Sequence, residues 1–249
     1  MCGWPSVPDP GFMNDNLHDS LEELLRSGST TNPALNVLLR DYARYHVVFI
    51  VVGGLSLVGF LLLAASSWRR FRKLPRGEGR RWSFERATYA GFGAASAFLA
   101  MVMAALVAAN VSNAVDPRQG LTGAVDLVGA PTPDTETAGL HHAFATWLRS
   151  GRSKTPSVVD ERVDGRLAWQ RPKALICLVL LLVIVLVSAR IWRTLVRRSR
   201  RRTKGWGWGD RALLVAGLGA GPVALVLMAM VIGNTQGSLA PISLTLFYG

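Results

Sequence analysis

Four histidines are the first places to look for chemistry: His18, His46, His141 and His142. An imidazole ligates metals or moves protons near neutral pH. His18 and His141 stand 123 residues apart in two copies of one short pattern, with Asp19 and His142 beside them. That makes His18, His141 and His142 the candidate ligands for zinc or copper outside a membrane. The plainer reading, polar residues on an exposed helix, is preferred, so no metal and no cofactor is expected. His46 sits at the edge of an apolar run and no histidine lies in the middle of one. A haem between membrane helices therefore lacks axial ligands.

The carboxylates offer little more. Glu22–Glu23 and Asp160–Glu161 have Arg26 and Arg162 near them, the spacing of surface ion pairs. Asp41 and Asp164 share the same 123-residue offset, but no other catalytic type gathers with them. GxSxG, HExxH, CxxC and the phosphate-binding glycine loop are all missing from the sequence, so no enzyme is expected. Cys2 and Cys177 are too few for a disulfide framework or a thiolate metal site.

The elements that position these residues are unusual. Half of the 249 residues are hydrophobic, which excludes a disordered chain. The apolar residues gather into four runs, at about 47–67, 90–111, 174–191 and 212–232. Each is long enough for a helix to cross a hydrocarbon core of ~30 Å. In lipid each backbone group must be paired within its own segment, so the runs are expected to be helices. The leading segment, with Pro5, Pro8 and Pro10, does not read as a signal peptide.

Charge gives an orientation. The loops at 69–86 and 190–211 carry 17 of the 28 Lys and Arg residues and only three acids, Glu78, Glu85 and Asp210. Short basic loops stay in the cytoplasm, which puts both termini and the middle loop outside. Trp68, Trp82, Trp192, Trp206 and Trp208 then fall where inner interfacial anchors belong. Arg69, Arg70, Arg72, Arg197, Arg198 and Arg201 are expected to meet anionic lipid headgroups. Nucleic acid is not an expected partner despite the net charge of +12. The basic loops are short and tied to the membrane, and no reader fold is visible in them.

The second half copies the first. Residues 17–33 read LHDSLEELLRSGSTTNP and residues 140–156 read LHHAFATWLRSGRSKTP, with seven identities in 17 positions. Trp68 matches Trp192, Asn110 matches Asn234, and AGFGA at 90–94 matches AGLGA at 216–220. The copies run in the same direction, as a parallel repeat about an axis along the membrane normal. The expected organisation is a tail (1–13), repeat 1 (14–115), an extracytoplasmic linker (116–135), repeat 2 (136–240) and a second tail (241–249).

Each repeat opens with a helical pattern. Leu17, Leu21, Leu24 and Leu25 share one face, as do Leu140, Phe144, Trp147 and Leu148. Asp15 or Asn16, and Thr137, are placed to cap the starts; Gly28 and Gly151 are placed to close the ends. Such faces lie on lipid, on the chain's own loops or on a partner. Leu17, Leu21, Leu25, Phe144, Trp147 and Leu148 are the expected partner-docking residues. In the spans, small residues four apart at Gly91/Ala95 and Gly217/Gly221 are expected to pack helices.

The spans carry no charge in their central portions, which disfavours an ion-coupled pump. The expectation is therefore an all-α protein of the plasma membrane, four helices in two tandem repeats. It would serve as a non-enzymatic accessory or scaffold subunit, with other membrane proteins or further copies of itself as partners. A channel or transporter is the alternative; it requires Ser56, Ser96, Asn113 and Asn234 to share a cavity. An outer-face metal protein or enzyme is the third.

Overall fold

The computed structural model describes residues 10–28, 31–75, 83–128, 135–201 and 207–248; the side chains of 10–16, 135, 136 and 201 fall outside that description. The described residues form eight α-helices and one 3-10 turn, with no strand among them. These are α1 (Pro10–Arg26), α2 (Pro33–Lys73), α3 (Phe84–Val115), α4 (Pro117–Ala124), the turn Val125–Leu127, α5 (Thr135–Ser150), α6 (Ser157–Arg201), α7 (Trp208–Leu239) and α8 (Pro241–Tyr248).

Four helices, α2, α3, α6 and α7, are long and apolar enough to cross a membrane. They are longer than the apolar runs. The 45 residues of α6 make a rod of about 68 Å at 1.5 Å per residue, twice what a bilayer core needs. Segments 34–46 and 157–173 are neither linkers nor separate helices: each continues into the apolar run that follows. Pro222 does not break α7, and α6 likewise runs on through Pro172.

Contacts divide the chain into two compact units. The first takes residues from Met1–Val48, Ala109–Arg171 and Thr235–Gly249. Its core joins Leu17, Leu21 and Leu25 of α1 to Leu140, Phe144, Trp147 and Leu148 of α5, with Leu35, Leu38 and Tyr42 of α2, Leu121 of α4 and Leu246 of α8. Such burial is worth about 1.5–3 kcal/mol per large apolar side chain. The expected docking residues Leu17, Leu21, Leu25, Phe144, Trp147 and Leu148 are therefore corrected. They fill this chain's own interior, none more than 5% exposed.

The helix ends explain the local order. Gly28 and Gly151 adopt φ of +64° and +63°, a left-handed conformation that glycine alone enters without a Cβ clash. Both close their helices as the sequence predicts. The expected starts are corrected: α1 begins at Pro10 and α5 at Thr135, so Asp15, Asn16 and Thr137 lie inside helices.

Exposed carbonyls at the two C-termini find partners elsewhere in the unit. Asn32 Nδ2 donates to the Leu148 carbonyl at 2.8 Å, while its Oδ1 accepts from the Leu35 amide at 3.0 Å. One side chain thus ends α5 and starts α2. At the matching end of α1, Arg118 donates to the Leu25 carbonyl. Trp147 Nε1 donates to the Arg152 carbonyl at 2.8 Å, so its buried ring leaves no orphan N–H.

Two segments read as linker and tail contain short helices among their described residues. Within 116–135, Asp116 caps α4 by accepting from the Gln119 amide, with Pro117 at the first helical position. Within 241–249, α8 buries Ser243, Thr245 and Leu246. The residue 124 places after Asp116 is Ala240, which has no capping oxygen. A carboxylate from α2 does that work instead: Asp41 accepts from the Ser243 amide at 2.7 Å.

The second unit takes Phe49–Ala108 and Pro172–Asn234. Gly53 on α2 lies against Met103 and Val107 of α3, and Gly93 on α3 lies against Ser67 and the Trp68 backbone. Gly217 on α7 lies against Ile191 and Trp192 of α6. Trp192 meets Phe92 of α3 edge to face, with centroids 4.9 Å apart.

Candidate functional site

The small-residue prediction holds at one of four positions. A Cβ added at Gly217 would come within about 3.1 Å of the Trp192 ring, but one at Gly91 or Gly221 would touch nothing within 4 Å, and Ala95 is exposed. Within α3 the packed positions are instead Gly93, Ser96, Ala100 and Met103. Helical spacing fixes a face but not which face meets a neighbour.

Polar positions in and beside the spans are engaged locally. Ser56 donates to the Val52 carbonyl of its own helix, and the Asn234 amide donates to that of Met230. Ser96 is buried and Asn113 half-buried.

Arg69, Arg70, Arg72, Arg197 and Arg198 are exposed, and the Arg201 side chain lies outside the described residues. Arg70 reaches the Tyr89 hydroxyl, and Arg198 pairs with the buried Asp210 at 3.2 Å. Arg200, not singled out by sequence, binds the buried Glu85 with two hydrogen bonds, one of them 2.7 Å. Two of the three acids in the basic loops thus serve ion pairs. The Arg200 head is exposed to screening, so the pair is a positioning contact rather than a large source of stability.

The metal candidates separate. His18 gathers with Asp19 and Glu22, not with His141 and His142. Glu22 is already paired with Arg26, and His18 contacts Asp126 at 3.3 Å. His141 is buried and His142 exposed. Burial pushes the His141 imidazole below its usual range, because a low-dielectric surrounding disfavours the cation.

A site of which sequence reading had noticed only His46, at the edge of the apolar run, lies at the start of the first span. Tyr42, Tyr45 and His46 of α2 and Ser243, Phe247 and Tyr248 of α8 line a pocket of about 140 Å³. The His46 ring packs edge to face on Tyr42 at 4.5 Å and on Tyr45 at 5.4 Å. Its Nδ1 donates to Asn110 Oδ1 at 2.7 Å. Its Nε2 is buried and has no hydrogen-bond partner.

The walls are held by polar contacts. Asp41 takes the Ser243 amide, Gln236 donates to the Tyr45 carbonyl at 3.1 Å, and Arg166 binds the Leu244 and Tyr248 carbonyls. Burial raises the Asp41 carboxyl, against hydrogen bonds from Ser243 and the charge of Arg44 that lower it. Asp164, its sequence counterpart, is exposed. The sequence signal for this pocket was His46 at the edge of an apolar run, with Tyr42 and Tyr45 beside it.

No protein-family model matches the chain, no curated protein matches its sequence, and no solved structure matches its fold.

Proposed function

We propose that this chain is a non-enzymatic subunit of a larger membrane assembly, built as two tandem repeats running in the same direction. The single observation that carries the reading is how little its spans cover one another. Only 11%, 22%, 6% and 17% of the most apolar windows of α2, α3, α6 and α7 are buried, whereas α1 and α5 bury their apolar faces within the chain. The surface left over is on the spans, and transmembrane helices of other proteins are the proposed occupants. Gly91, Ala95 and Gly221 lie open there, where small side chains let a foreign helix backbone come close.

The repeat reading is supported by element order. A short helix, a long one, one of 32 residues and one of 8 follow each other twice. The plasma membrane and an outside position for both termini rest on the basic loops alone.

Affinity purification in mild detergent, followed by native mass determination, tests the subunit reading. Other membrane proteins in fixed stoichiometry are the expected result. A pure homo-oligomer would replace it with the channel reading. Orientation is tested in cells lacking Cys2 and Cys177: Gly79→Cys should resist an impermeant thiol reagent and Leu127→Cys should react. The reverse pattern overturns the topology.

A further inference from the structure

The pocket between α2 and α8 carries an inference independent of the subunit reading. Its chemistry is narrow. With the His46 Nδ1 proton committed to Asn110 at 2.7 Å, a neutral imidazole leaves Nε2 as a bare lone pair. That atom is buried without a partner in a residue only 8% exposed. Buried polar atoms are nearly always satisfied, and an orphan acceptor on a pocket-lining residue is open to a donor from outside the chain.

The rest of the wall sets the donor's shape. Tyr42, Tyr45, Phe247 and Tyr248 surround a space of about 140 Å³. A dry cavity of about 150 Å³ is enough to take benzene, so the space suits a single aromatic ring. Aromatic walls favour a ring by offset and edge-to-face contact. The donor is uncharged, since no carboxylate lines the pocket among the described residues. His46 directly precedes the apolar run beginning at Val47, which suits a ligand whose tail partitions into lipid.

We infer that this pocket binds a hydroxylated aromatic ring, a phenol or hydroquinone carried on an apolar tail, whose O–H donates to His46 Nε2. Tyr42 and Tyr45 hold the imidazole, Asn110 fixes which nitrogen accepts, and α8 closes the ring from the other side. The inference concerns binding alone.

The test titrates the full-length chain in nanodiscs by calorimetry, with empty nanodiscs as the blank. The probes are 4-propylphenol and propylbenzene, which differ by one hydroxyl. Saturable binding of the phenol, about tenfold tighter than propylbenzene, is expected from one buried hydrogen bond. His46→Phe should erase that difference, and His46→Gln, which keeps an acceptor, should restore part of it. Ala124, also on the pocket wall, gives a variant that leaves His46 and Asn110 untouched: Ala124→Leu should weaken both probes. Equal affinities for the two probes, no saturable binding, or full affinity in Ala124→Leu would each overturn the inference. Tighter binding of N-acetyltyrosinamide than of 4-propylphenol would place the phenol on a polypeptide and overturn the membrane-borne ligand.

Discussion

Phe144→Ala separates a core face from a docking face. Phe144 is fully buried, the largest such side chain among the described residues, and it meets Trp147 with centroids 6.2 Å apart. Truncating a buried phenylalanine to alanine costs about 3–5 kcal/mol, since a cavity remains where the ring was. A small domain is stable by only about 5–15 kcal/mol. The substitution thus raises the open population of this unit by about two to four orders of magnitude, at 1.4 kcal/mol per tenfold. The assay is pulse proteolysis of the full chain in nanodiscs, with Glu23→Ala on the exposed side of α1 as the control. Fast cleavage within the first unit is expected for Phe144→Ala and not for the control. Wild-type resistance in Phe144→Ala, with lost capture of a membrane partner, would refute the packing argument and reinstate the docking reading.

Three further outcomes follow from the same unit. Asn32→Ala removes a cap from α2 and a donor from the end of α5 at once, and should cost about 1–2 kcal/mol in the same proteolysis assay. Gly151→Ala should cost about 1–2 kcal/mol, the penalty for an L-residue in the left-handed region, since the new methyl would otherwise make only ordinary contacts near Asn32. His141 gives a pH dependence. Its folded imidazole lies below the ordinary 6.5, so as pH falls through 6.5 the unfolded chain takes the proton first and stability drops, levelling off below the folded value. Thermal unfolding between pH 7.5 and 5 should steepen this loss in wild type relative to His141→Gln. Asp41 titrates in the opposite sense, from above 3.8, so the difference between the two chains is the quantity to read. Parallel curves would show that His141 is not the group responsible.

Sequence alone determined what the backbone must do locally. Apolar runs of about twenty residues leave a helix as the only paired conformation in lipid. Gly28 and Gly151 closed their helices as read, because a left-handed end is set by the residue itself. The faces at Leu17, Leu21, Leu25 and at Phe144, Trp147, Leu148 were legible for the same reason: period 3.6 states that a stripe needs burial. Only the tertiary structure decided what covers each stripe. Periodicity carries no information about the partner surface, and here the answer lay across the chain, α1 on α5. The pocket was further out of reach. Asp41 meets Ser243 over 202 residues, and His46 meets Asn110 over 64. Contacts of that separation depend on which helix ends are brought together, and packing rather than local propensity chooses them. The residues read as a tail form a pocket wall, with the Asp41 carboxylate accepting from the Ser243 amide of α8.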